Sequence, residues 1–159
     1  MDKIFITRQG LARLETELLQ LKTVERPAIQ AAIAEARAHG DLSENAEYHA
    51  AKEKQGFIEG RIAELEDKMM RFEAIDPTRI KSDKIQLGAT VTLVDVDTDK
   101  TVVYVLVGPD EADLERGHIT TISPLGRALL GKQAGDEVVF VAPAGKRTYE
   151  VEKVAYVAL

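Results

Sequence analysis

Cysteine and tryptophan are absent from this 159-residue chain, and aromatic residues make up only 5% of it. Without cysteine there is no disulfide framework, no thiolate metal site and no thiol nucleophile, which excludes zinc fingers and cysteine hydrolases together. Any apolar run near the roughly 20 residues needed to cross a bilayer is also missing. Met1-Asp2-Lys3-Ile4-Phe5 carries no apolar block of a secretory signal, so the expected location is cytoplasmic, with no membrane partner. Positive charge is not in excess: 21 Lys and Arg stand against 27 Asp and Glu, a formal net charge of -6. Nonspecific duplex binding depends on clustered cations that neutralise phosphate, so this balance argues against it and leaves room only for a local basic patch. What remains is a chain 45% hydrophobic and 30% charged, the makeup of one large or two small soluble domains held by packing alone.

The first half has a helical period. Leu11, Leu14, Leu18 and Leu21 recur at alternating steps of three and four, the seam spacing of a coiled coil. A second register, Tyr48, Ala51, Gln55, Ile58, Ile62, Leu65, Met69 and Phe72, keeps the same alternation with Gln55 as its one polar member. The first seam would continue through Ala28 and Ala32, but Glu25 falls in register and Pro27 removes a helical hydrogen bond. A bend there, or a shift of the stripe towards Ile29, Ile33 and Ala36, is expected. Between the two periodic stretches lies His39-Gly40-Asp41-Leu42-Ser43-Glu44-Asn45, where Gly40 suits a left-handed helix terminus and the following Asp and Ser suit a new N-cap. Two helices joined by so short a turn pack antiparallel, as a hairpin on the order of 40–45 Å long.

After Pro77 the period changes. Residues 89–96 and 101–107 are rich in β-branched residues and predict two strands, with Asp97-Thr98-Asp99-Lys100 as the turn between them. Residues 137–141 and 148–154 predict a second hairpin about Pro143-Ala144-Gly145-Lys146. Leu125 to Leu130 reads as a short helix with Ser123 as cap, Pro124 in the first helical position and Gly131 at the end. The expected fold class is therefore α+β: an antiparallel α-helical coiled-coil hairpin over residues 1–76, then an antiparallel sheet domain with one short helix over residues 77–159.

The turn supports two readings. Asp41 can be an N-cap and Glu44 its partner three residues on, a capping box with no further role. Alternatively, both carboxylates stand at the far end of an extended hairpin, where no core requires them. Two carboxylates are too few to hold Mg²⁺ unaided, because that ion keeps waters and draws its other ligands from phosphates or a second protein. On this second reading the tip completes a site that belongs to a partner.

Gly40-Asp41-Leu42-Ser43-Glu44-Asn45-Ala46-Glu47-Tyr48-His49-Ala50-Ala51-Lys52-Glu53 resembles the tip motif of the bacterial Gre transcript-cleavage factors, and residues 122–132, Ile-Ser-Pro-Leu-Gly-Arg-Ala-Leu-Leu-Gly-Lys, resemble the second motif of that family. The likeness covers nearly the whole chain in order. It implies that residues 77–159 form an FKBP-like domain that docks at the rim of the secondary channel of RNA polymerase, with Ser123 and Pro124 on the docking face. It further implies that the hairpin enters the channel, where Asp41 and Glu44 steady a second Mg²⁺ shared with the polymerase. That ion would help the polymerase hydrolyse backtracked RNA. Arg37 and Lys52 match the family's basic patch and would contact the extruded 3′ end of the nascent RNA; ordinary solvated helix charge is the alternative. The chain would then be an accessory factor and not an enzyme, with no cofactor bound in the free state. Ser43 stands where some family members have Lys, which removes one positive charge beside the acids.

Other conspicuous residues receive plainer readings. Tyr48 continues the seam and is expected to pack rather than stack on a base. His39 and His49 flank the turn but lack the further ligands of a structural metal site. Asp110-Glu111-Ala112-Asp113 reads as a solvated loop, there being no phosphate-cradling Gly-Lys-Thr sequence to pair with it. The hairpin satisfies its own seams, so a monomer is expected. Three competing functions remain: a Gre-like inhibitor that occupies the channel without promoting cleavage, a prolyl isomerase built on the second half, and a coiled-coil holdase. The isomerase is poorly provided, since Tyr104, Phe140, Tyr149 and Tyr156 are the only aromatics after Pro77.

Overall fold

The computed structural model describes residues 2–40 and 45–159. The chain forms two compact units, one built on Ala12–Phe72 and the other on Lys3–Leu11 together with Glu73–Leu159.

Helix α1 (Arg8–Gln20), which enters the first unit at Ala12, runs into a π-helical turn (Leu21–Glu25) and continues as α2 (Arg26–Ala38); after the turn, α3 spans Ala46–Met69. The π turn lies directly before Pro27, and the Arg26 N–H reaches back five residues to the Leu21 carbonyl. Proline supplies no N–H and crowds the carbonyl four residues back, and a wider turn relieves both problems. The turn inserts one residue into the seam. An unbroken alternation from Leu21 would arrive at Ala28 and Ala32, which are exposed, whereas Ile29, Ile33 and Ala36, each displaced by one, are buried. The stripe thus shifts where the sequence places the conflict. In α3 the centre of the predicted register, Ile58, Ile62 and Leu65, is buried, and its flanking members are half-buried.

The helices run antiparallel, as their cross-pairs show. Arg61 forks onto both oxygens of Glu17 at 2.6 and 2.9 Å, Arg26 onto those of Glu59 at 2.9 and 2.8 Å, and Lys22 meets Glu66 at 3.2 Å. Exposed pairs of this kind contribute at most about 1 kcal/mol each, so the apolar seam supplies most of the stability and the ion pairs set the register. At about 1.5 Å per residue, the 24 residues of α3 span ~36 Å.

The second unit holds a two-stranded sheet, β1 (Ile4–Thr7) with β2 (Phe72–Ile75), and a five-stranded one. The strands of the larger sheet are β3 (Thr90–Asp95), β4 (Thr101–Val107), β5 (His118–Thr120), β6 (Glu137–Ala142) and β7 (Gly145–Ala155), in the order β5-β4-β3-β7-β6. Period-two alternation in β3 turns Val91, Leu93 and Asp95 inward. Both predicted hairpins form, β3 with β4 and β6 with β7, and β3 pairs antiparallel with β7 across a bulge at Thr92/Leu93. The sheet is mixed and not wholly antiparallel: β5 lies parallel to β4 at one edge. The short helix α4 (Pro124–Leu129) buries Leu125 and Leu129 against a core that includes Val91, Leu93, Leu106, Val138 and Val151. Gly126 is required in α4, because a Cβ there would stand 2.1 Å from the Thr120 carbonyl oxygen. No helix among the described residues is long and apolar enough to cross a membrane.

Candidate functional site

At the turn end of the hairpin, α2 closes on His39 and then on Gly40, whose φ of 106° lies in the left-handed region that glycine adopts without strain. The chain re-enters helix at Ala46, and the N-cap of α3 is Asn45: its side chain accepts from the Tyr48 N–H at 3.0 Å. The expectation that Asp41 or Ser43 caps this helix is corrected on that point. Asn and Asp suit an N-cap about equally, and the contact that favours Asn45 is tertiary. Its amide nitrogen also donates to the Ala36 carbonyl at 2.6 Å, so one side chain ties the end of α2 to the start of α3. Asp41 and Glu44, the residues on which the expected chemistry rests, lie outside the described residues, as does Ser43.

The remaining predicted residues have definite surroundings. Arg37 sits in the last turn of α2, where a cation complements the helix dipole, and its guanidinium lies over the Tyr48 ring at 5.8 Å from the centroid. Tyr48 is half-buried, in keeping with its seam position, and meets His49 edge-on at 5.6 Å. Lys52 is exposed and donates to Gln55 at 3.1 Å. Arg37 and Lys52 therefore both present positive charge near the turn but engage different partners. His39 Nδ1 is 3.3 Å from a Glu47 oxygen, an exposed contact. Among the described residues no group of three or more His, Cys, Asp or Glu is placed to hold a metal ion. Further along the hairpin, the hydrogen bond from Arg61 holds the Glu17 carboxyl below its ordinary value, and Arg26 does the same for Glu59.

In the second unit the predicted pair Ser123 and Pro124 opens α4 as expected. The Ser123 hydroxyl accepts from the Gly126 N–H at 3.1 Å and donates to the Thr120 carbonyl at 2.7 Å. Both residues line an apolar groove of about 260 Å³ together with Tyr104, Ile119, Leu125 and Phe140. Leu114 and Val141, 82% and 69% exposed, also line it, as do Ala142 and Pro143, an apolar display of the kind that marks a protein-binding surface. Of the four aromatics after Pro77, only Tyr104 and Phe140 reach the groove. Tyr149 is buried behind Phe140 in a stacked pair at 5.8 Å, and the Tyr156 hydroxyl is engaged by Lys84 and Gln86.

The acidic loop after β4 is not solvated throughout. Glu111, expected in a solvated loop, is buried; it accepts from the Thr7 N–H at 3.1 Å, the Gly108 N–H at 2.8 Å and the Thr7 hydroxyl. The Thr7 hydroxyl in turn accepts from the Gly10 N–H at 3.0 Å and caps α1. This polar cluster holds β1 and the first turn of α1 to the loop after β4. Gly10 belongs to it by necessity, since a Cβ there would lie 2.0 Å from a Glu111 oxygen.

Comparison with known proteins covers almost the whole chain. The family model described as "Transcription elongation factor, N-terminal" matches residues 4–73, and the one described as "Transcription elongation factor, GreA/GreB, C-term" matches residues 80–156. Transcription elongation factor GreA of Hyphomonas neptunium is 58% identical over 98% of this chain and 99% of its own length. The protein of the same name from Paracoccus denitrificans is 56% identical over 99% of this chain and 100% of its own. Among solved structures, GreA factor homolog 1 of Thermus thermophilus is 27% identical, covers 96% of this chain and 98% of its own, and superposes with a TM-score of 0.44.

Proposed function

The chain belongs to the GreA/GreB family of transcription elongation factors, and from that premise we propose that it inserts the turn of its hairpin into the secondary channel of RNA polymerase and stimulates the polymerase's own cleavage of backtracked RNA. The observation that carries this reading is at the turn. The N-cap of α3 is Asn45, so capping of that helix does not account for the acids at 41 and 44. The helices behind the turn form a long antiparallel pair packed along a largely apolar seam, a stiff support for delivering a small acidic group into a narrow space.

Each set of residues has a task within this reading. Asp41 and Glu44 offer two hard oxygen donors, a set that fits Mg²⁺ and needs a partner to complete it. They would hold the second Mg²⁺ jointly with the polymerase, and when bound that ion supplies activation of the attacking water in two-metal hydrolysis. Arg37 and Lys52 would meet the phosphates of the extruded RNA 3′ end. The groove beside Ser123 and Pro124 would dock on the channel rim, with Leu114 and Val141 covered on binding. The factor contributes part of an active centre and is not itself an enzyme.

The test is RNA shortening in stalled elongation complexes at fixed Mg²⁺. The unaltered protein is expected to shorten the transcript. Asp41→Ala and Glu44→Ala should each lose this activity by about 10²-fold or more while still competing for polymerase. Undiminished cleavage in both variants would defeat the mechanism. Slowed synthesis without shortening by the unaltered protein would identify a channel-blocking inhibitor instead.

A further inference from the structure

Strand β6 (Glu137–Ala142) ends the larger sheet, with β7 on one side and no strand on the other among the described residues. Pro143 and Ala144 form the loop that closes the β6–β7 hairpin on the pair Ala142 and Gly145. Bonded and non-bonded pairs alternate from there. Ala142, Phe140 and Val138 therefore bond to β7, and Val141, Val139 and Glu137 turn their N–H and C=O groups away from it. Two contacts fix this phase. Asp136, in step with the bonded set, accepts from the Val151 N–H at 2.8 Å, and Thr148, opposite Val139, gives its carbonyl to the Val96 N–H at 3.1 Å on the far side of β7. Among the described residues, the outward backbone groups of Glu137, Val139 and Val141 have no hydrogen-bond partner.

The opposite edge of the sheet is closed off. There β5 is three residues long, and His118 exchanges N–H···O=C bonds of 2.8 and 3.0 Å with Asp113 along its outer side. β6 carries none of the devices that blunt an edge: it has no Lys, no Pro and no bulge, and Val139 and Val141 are 52% and 69% exposed. Its single charge is also unmatched. Glu137 stands directly opposite Glu150, a like-charged cross-strand pair that costs stability, and neither carboxylate has an ion-pair partner among the described residues.

We infer that β6 is a docking edge for an extended segment of a partner protein, which adds to the sheet as a further strand. Alternation sets the chemistry of the occupant. Its residue beside Glu137 is Lys or Arg, which relieves the repulsion between Glu137 and Glu150, and its residues beside Val139 and Val141 are apolar on the same face. On the other face its side chains are apolar too, since they lie against Phe140, which with Val141 and Ala142 lines the groove. A second copy of the chain is a poor occupant. Antiparallel pairing about Val139 would set Val141 and not a cation beside Glu137, between chains of net charge -6 each. The inference stands apart from the cleavage reading and needs nothing from the turn of the hairpin.

The probe is a short capped peptide of alternating Val and Thr ending in Lys, titrated into the isotope-labelled full chain and followed by nuclear magnetic resonance, with a twin peptide ending in Glu as the contrast. The Lys peptide should slow amide hydrogen exchange at Val139 and Val141 by at least about tenfold and leave Val138 and Phe140, already bonded to β7, little changed. Affinity should favour the Lys peptide by at least about threefold, and Glu137→Lys should reverse that preference. Val139→Pro removes an outward N–H without touching the ladder to β7, so melting should stay nearly unchanged while binding falls at least about tenfold. Should Val139→Pro melt early, the reversal by Glu137→Lys decides alone. Protection that ignores the alternation, no protection with either peptide, or equal affinity for both overturns the inference. So does exchange at Val139 and Val141 that slows with protein concentration alone, which would assign the edge to self-association.

Discussion

Replacing Glu111 by Ala tests whether the buried polar cluster holds the second unit together. In the intact protein the Glu111 carboxylate accepts from two backbone N–H groups, those of Thr7 and Gly108, and from the Thr7 hydroxyl. Alanine leaves both amides without their acceptor at a site where water is largely excluded, since Thr7 is 2% exposed and Glu111 4%. Each orphaned buried donor costs about 1–3 kcal/mol, so the two amides together place the loss at about 2–6 kcal/mol before any cavity term. Glu111→Gln keeps one acceptor oxygen, and its NH₂ can donate to the Thr7 hydroxyl, so it should lose only about 1–2 kcal/mol. Urea denaturation checks this through the fluorescence of Tyr104, Tyr149 and Tyr156, which all belong to the second unit. Tyr48 is the one tyrosine outside that unit, and Tyr48→Phe in the background removes its signal. If Glu111→Ala unfolds within about 1 kcal/mol of the unaltered protein, the cluster does not hold the first strand and the reasoning fails.

Other perturbations bear on separate parts of the molecule. Leu65→Ala removes a fully buried seam side chain and should destabilise the hairpin by about 2–5 kcal/mol, read from helical circular dichroism during thermal melting. Gly126→Ala drives a methyl group into the Thr120 carbonyl and should cost about 1–3 kcal/mol or displace α4, visible as loss of near-ultraviolet signal. Glu17 has its carboxyl held below the ordinary value of 4.5 by Arg61, so its contribution is present above that pH and is lost as pH falls through the lowered value. Both partners are more than a third exposed, so the effect stays well below about 1 kcal/mol, and Arg61→Ala should abolish that part of the acid sensitivity of melting. Ser123→Glu places a charge on the rim of the apolar groove and should weaken competition for polymerase while leaving hairpin helicity intact; unchanged affinity would move docking to another surface.

The helical half was legible because its burial repeats at a fixed period, and a single conflict, Glu25 with Pro27, foretold where the stripe would move. The sequence could not say that the protein resolves this conflict with a π turn and not a kink, because both restore the pattern one residue later. Strands β1, β2 and β5 are three or four residues long, too short for alternation to emerge, and each is recruited by a partner strand elsewhere in the chain. Glu111 was hidden for a related reason. In a run of acidic letters nothing local distinguishes a buried carboxylate, and its partner Thr7 lies 104 residues away. The groove at Ser123 and Pro124 was legible only as a helix start; its apolar lining comes from β4, β5 and β6 as well as α4.

The turn between α2 and α3 is where local rules left the most freedom. Asp41, Ser43 and Asn45 all carry side chains that cap helices, so the letters alone allowed the acids to be structural. The bond from Asn45 to Ala36 breaks that degeneracy, because it is available only to a side chain that accepts and donates at once. With the cap of α3 assigned to a neutral amide, the start of that helix does not call for the carboxylates at 41 and 44. On the proposed reading a partner supplies the remaining ligands of the ion, so the partner-free protein, with only two oxygen donors, is a weak ligand for that cation. Raising Mg²⁺ in the absence of polymerase should therefore leave the melting of the hairpin nearly unchanged. A rise of several degrees that disappears in Asp41→Ala would mean that the turn holds the ion alone, and the shared-site mechanism would have to be abandoned.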